Sequence, residues 1–280
     1  MPGTSSRRGR IAVIALAGII LLAAGGYLAF RRVAPLLATS GCEVRTGGQV
    51  FRLSPGQAGI AATIAGVARR DALPARAVTI AYATALQESK LQDLHYGDRD
   101  SVGVFQQRPS EGWGPTRQLE DPVYATTKFF QALVQVPGYR RLPVYKAAQA
   151  VQRSADGGAY IQYQQMAASL ALGFTGRDPR SVWCWYAGPA GRRASLTAAS
   201  HGLGHAFGPL PVRAADGPKL TLAVPRPAEG WSVAAWLVSH ASRYGIRDVR
   251  YGRYEWRAAS GARGWARVAF PAPARSVQLG

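Results

Sequence analysis

Twenty consecutive residues, Ile11 to Phe30, carry no charge. A helix of that length rises about 30 Å, the depth of a bilayer's hydrocarbon core, so the stretch predicts a transmembrane helix over 11–30 rather than part of a water-facing fold. Residues 1–10, ending Arg7-Arg8-Gly9-Arg10, then form a cytoplasmic N-terminus. Three arginines precede the span and two, Arg31 and Arg32, follow it, a small bias toward N-inside orientation. A cleaved secretory signal is the rival reading, since it also joins a basic start to an apolar core, but this stretch is long for one. The expectation is a single-pass protein of the cell membrane with its remaining residues outside the cytoplasm.

Cysteine usage agrees with export. Cys42 and Cys184 are the only two in the chain and flank its central segment. In an oxidising compartment such a pair predicts one disulfide stapling the ends of a domain; the alternative is two unrelated buried thiols.

The formal charge of +19 favours an anionic partner, either nucleic acid or acidic wall polymers. No basic helix with interleaved aromatics stands out, so nucleic acid is the weaker of the two. Only four of the 34 basic residues are lysine, and such an arginine excess also arises from coding composition.

Residues 31–53 read as a stalk with several glycines and no sustained period. Folding should start at Ser54 and Pro55, an N-cap and first helical residue ahead of Ile60, Ile64, Val67 and Ala68 at helical spacing. Pro74 starts a second helix through Val78, Ile80, Ala81 and Ala85 to Glu88. Residues 91–115 read as a structured loop, with a short hairpin around 101–107. Three more helices follow, opened by Asp121-Pro122, by Pro143 and near Ala159. The region 54–175 is thus mostly helical. Residues 176–219, rich in Arg, Gly and Pro, read as a linker. The segment 220–280 reads as a small α+β module: strands at 220–224, 249–256 and 265–270, and a helix over 230–244.

Glu88 closes an otherwise apolar helix, and Gly97-Asp98-Arg99 follows in a polar loop. A carboxyl half withdrawn from water is disfavoured in its charged form and keeps a proton for a leaving oxygen, whereas a solvated carboxylate stays ionised. Those are the two environments that glycoside cleavage needs. Taken alone, a glutamate at a helix end is a solvated cap.

The motifs Glu88-Ser89, Gly97-Asp98-Arg99 and Gly103-Val104-Phe105-Gln106 resemble, in order and spacing, the E-S, G-D-R and G-L-M-Q signatures of goose-type lysozymes and soluble lytic transglycosylases. The chain is also similar to lysozyme-like domains of actinobacterial surface proteins that keep Q-E-S-K-L, G-D-R-D-S and F-Q-Q-R-P together. The resemblance covers roughly residues 60–172. It implies a mainly α lysozyme-like domain, preceded by the transmembrane helix and followed by the small α+β domain, with Glu88 as catalytic acid, Asp98 assisting and Gln106 lining the sugar cleft. Ser89, Asp100, Gln107 and Gln152 complete the polar substrate contacts, and Tyr96 and Trp113 offer rings for sugar stacking. Core packing is the competing role for both rings, and a turn position for Asp100. One departure is plain: where the family has an A-A-Y-N-A-G-like segment, Ala148 to Ser154 has Val151 or a neighbour in place of the tyrosine.

His201 and His205 stand one helical turn apart without the glutamate of an H-E-x-x-H zinc motif, so neither metal nor cofactor is expected. The last module looks like a degenerate peptidase-like tail without a catalytic set. The expected activity is cleavage of peptidoglycan glycan strands, hydrolytic or lytic. The competing expectation is a catalytically silent glycan-binding or scaffold protein of the envelope.

Overall fold

The chain reverses at Gly47-Gly48, both in left-handed conformation, which glycine adopts without steric penalty. Thr46 pairs with Gln49 across this two-residue turn, joining β1 (Gly41–Thr46) to β2 (Gln49–Leu53). The computed structural model describes residues 25–27, 39–153, 158–187, 194–216 and 219–280. Ser54 then caps α1 (Pro55–Arg70) with a reciprocal box: its hydroxyl accepts from Gln57 N, and the Gln57 side chain accepts from Ser54 N. The helices α2 (Ala75–Glu88), α3 (Thr116–Leu119), α4 (Pro122–Gln135), α5 (Val144–Gln152) and α6 (Gln164–Phe174) follow, with a 3-10 segment Gly158–Tyr163 leading into α6. Then come β3 (Val182–Trp185), α7 (Leu196–Phe207), β4 (Val212–Asp216), β5 (Lys219–Ala223), α8 (Pro227–Ser239), α9 (Ala241–Tyr244), β6 (Asp248–Tyr251), β7 (Tyr254–Arg257), β8 (Ala266–Arg267) and β9 (Ser276–Leu279).

Two antiparallel sheets form, ordered β2-β1-β3 and β4-β5-β9-β6-β7-β8. In the first, Cys42 lies directly opposite Cys184, and the two form a disulfide. The helix α8 is buried almost all round, through Val233, Ala234, Ala235, Trp236, Leu237 and Val238. A helix buried on nearly every face must be covered all round, and α8 is: α1 and α6 pack on it, as do β3, β6 and β9. Ser232 donates to Phe174 O at 2.6 Å, and Arg69 pairs with Glu229. The described residues between 40 and 186 and between 194 and 280 thereby form one compact unit.

These observations correct the expected fold class. The protein is not a mainly α domain with a separate small α+β domain behind it; it is about half helical, with two antiparallel sheets. Part of the expected stalk is the β1–β2 hairpin, and the expected linker contributes β3, α7 and β4. Glycine-rich composition hid the hairpin, although the Gly-Gly turn is its local signal. The helix α7 carries Leu196, Ala199, Leu203 and Ala206 at helical spacing, diluted by Gly202 and Gly204. Among the described residues no helix is long and apolar enough to cross a membrane, and the expected transmembrane helix over 11–30 falls largely beyond them, with 25–27 helical.

Candidate active site

Glu88 is the last residue of α2, a helix buried along most of its length. What ends the helix there is a turn in which Lys90 and Leu91 both take positive φ, 56° and 57°. Each such residue costs roughly 1–2 kcal/mol. The compensation is burial of Leu91, which is fully enclosed, and its N–H bond to Ala85 O at 3.0 Å. Ser89 is 3% exposed; its N–H bonds to Ala85 O, and its hydroxyl donates to Val104 O at 2.7 Å and accepts from Gln92 N, fastening the helix end to the following loop. It is therefore a structural tie, not the expected substrate contact.

The loop from 92 to 113 is anchored from within. Phe105 stacks on Phe129 of α4 with ring centres 4.5 Å apart, and Val102 pairs with Gln107 as a bridge. Gln107 is 1% exposed and donates to Ala125 O, so it too is internal. Gly103 has φ +76°, and a Cβ there would strike Leu119 O. At Gly97 a Cβ would collide with the amide of Gln106 and the carbonyl of Ser101, which explains a glycine ahead of Asp98. Gln106 donates to Gly103 O and Tyr96 O.

These elements enclose a polar cleft of about 540 Å³ lined by Glu88, Asp98, Ser101, Gln106, Arg108, Glu111, Trp113, Gln152 and Arg153. Of the sequence-derived candidates, Glu88, Asp98, Gln106, Trp113 and Gln152 meet here. Ser89 and Gln107 do not, for the reasons above. Tyr96 is 74% exposed and does not line the cleft. Asp100 turns to Ser110, accepting from its N–H at 2.8 Å and its hydroxyl at 2.9 Å; the Ser110 backbone bond, foremost, holds this carboxyl below its usual range. Gln152 lines the cleft with its donor committed to Phe105 O at 2.7 Å.

Two partners of the acidic pair were not anticipated. Tyr160, 1% exposed, donates its hydroxyl to Glu88 Oε1 at 2.7 Å. A tyrosine hydroxyl thus reaches the acid from the 3-10 segment, not from the α5 region where Val151 stands. Arg108 binds Asp98 at 2.6 Å, Glu111 at 3.1 Å and Ser101 Oγ at 3.0 Å. Arg108 sits in the F-Q-Q-R-P run, so its signal was present, whereas nothing near Glu88 in sequence points to Tyr160.

His201 and His205 lie on α7, outside this cleft; His205 Nε2 is 3.9 Å from Asp121 Oδ2. Among the described residues no set of three His, Cys, Asp or Glu side chains is arranged to hold a metal ion. No family model matches the chain, and comparison with curated proteins finds no significant match.

Proposed function

We propose that this cleft cleaves peptidoglycan glycan strands outside the cytoplasm, with Glu88 as general acid. The observation that carries the reading is the Glu88 carboxyl on the wall of a sugar-sized polar cleft, gripped at Oε1 by a buried tyrosine hydroxyl. The order of the motifs around Glu88, Asp98 and Gln106 supports it, and the disulfide suits an exported protein. Trp113 offers a ring to a sugar face, and the basic surface suits an anionic wall.

In the step proposed, Glu88 gives its proton to the leaving glycosidic oxygen as the C1–O bond breaks. In a hydrolytic course Asp98, bound by Arg108 at Oδ2 alone, would direct a water with its other oxygen. The lytic course needs no second carboxylate and is the one proposed. The sugar's own C6 hydroxyl attacks C1, forming a 1,6-anhydro ring, and the Glu88 carboxylate takes back the hydroxyl proton. The second reading is a catalytically silent glycan-binding protein.

Mass spectrometry of soluble fragments released from purified peptidoglycan by the full chain separates these. Fragments with 1,6-anhydro ends are expected, lost in Glu88→Gln at an unchanged melting temperature. Tyr160→Phe should slow release about tenfold, the effect of one hydrogen bond to a charged group, without changing the product. Reducing ends would replace the lytic course by the hydrolytic one. No fragments from the wild type would leave the binding reading, and release by Glu88→Gln would refute the assignment of the acid.

A further inference from the structure

The cleft holds two arginines in opposite situations. Arg108 is satisfied on three sides, by Asp98, Glu111 and Ser101. Arg153 lines the same cleft, is exposed, and its side chain makes no hydrogen bond or ion pair among the described residues. Its backbone is nevertheless held firmly. Its N–H bonds to Gln149 O, its φ is 51° in the left-handed region, and the preceding Gln152 is tied to Phe105 O at 2.7 Å. A guanidinium unpartnered among the described residues therefore leaves a fixed point on the cleft that also carries Glu88.

We infer that Arg153 is a specificity-determining residue that takes a carboxylate of the glycan substrate. The inference rests on the reading of the cleft as a glycan site. Sugar hydroxyls and acetamido groups are neutral and need no cation. The negative groups native to a peptidoglycan strand are carboxylates, and the planar guanidinium fork matches a carboxylate in bidentate fashion. That carboxylate has two sources. One is the lactyl group of a muramyl residue, free only after the stem peptide has been removed; the other is the stem peptide itself. If the lactyl group is the ligand, an amide-hydrolysing reaction that strips the peptide must precede cleavage here.

Binding measured in the Glu88→Gln protein, which holds substrate without turning it over, tests the inference apart from the chemistry. The full chain is titrated by fluorescence with peptide-free strands, with peptide-bearing strands, and with both after chemical amidation of their carboxyls. Adding Arg153→Gln is expected to weaken binding of one unmodified strand type about tenfold, and Arg153→Lys by less, since the lysine keeps the charge and loses the fork. Amidated strands should bind both proteins alike. A loss on peptide-free strands identifies the lactyl carboxylate; a loss confined to peptide-bearing strands identifies the stem peptide. Equal affinities with and without Arg153→Gln on every strand would overturn the inference and leave the proposed cleavage standing. Failure of Glu88→Gln to bind any strand would overturn the inference and the glycan reading together.

Discussion

Asp93 is half-buried, and its Oδ1 is buried without a hydrogen-bond partner among the described residues. Burial, reinforced by Glu120 and Asp121 and opposed by His95, pushes its carboxyl up to about 6. The folded value lies above the unfolded one, so stability linked to this group is complete below about pH 4 and is lost as pH rises through about 6. Asp93→Asn keeps the neutral shape at every pH. Its melting temperature should match the wild type at pH 4 and exceed it at pH 8 by about 2–4 °C, roughly 1 kcal/mol once the solvent-facing part of the group is discounted. A difference independent of pH would assign the effect to packing instead. Neither Asp93 nor Tyr160 was legible as special in the sequence. Their character comes from partners far along the chain, 72 residues away for Tyr160 and Glu88, and no local spacing records that. Glu88 and Asp98 were legible because a helix end and a polar loop are local features.

At the scale of elements, α1 is the helix on which α7, α8 and α4 all pack, and its glycines set how closely they do so. Gly66 faces the ring of Phe207 so tightly that a Cβ would overlap it. Phe207 is fully buried and has no room to yield. Gly66→Ala should therefore destabilise by about 1–3 kcal/mol despite alanine's better helix propensity. Gly204, inside α7, has nothing near its missing Cβ, so Gly204→Ala should stabilise by about 0.5–1 kcal/mol. Denaturant midpoints for the two variants should move in opposite directions; a gain in both would show that α7 can back away from α1. Start signals made several helices legible in advance, with Ser54, Asp121 and Pro143 each standing at the N-cap of its helix. The strands were read less well. The expected strand over 249–256 is two, β6 and β7, folded at Gly252, and β9 was not foreseen because four residues give only two periods of alternation.

The whole unit depends on pairing that joins distant parts of the chain, and here local reasoning ran out. The first sheet brings residues 41–53 against 182–185, so the helical region lies between two strands of one sheet rather than between a stalk and a linker. What the sequence did report at this scale was the Cys42–Cys184 bond, because only two cysteines were there to pair. The bond closes a loop with a sequence separation of 142, and loop-closure entropy alone assigns it on the order of 5 kcal/mol against the unfolded chain. Cys42→Ala/Cys184→Ala should lower the calorimetric melting temperature by about 10–15 °C. The cleft is built from the end of α2, the 92–113 loop and the α5 end, and the hydrogen bonds of its side chains among the described residues stay within those elements and the 3-10 segment. At 20 °C the variant should thus still release the same fragments as the wild type. Loss of release at a temperature where the variant remains folded would mean that β1 and β3 shape the cleft through the core, and that the staple serves the site as well as the fold.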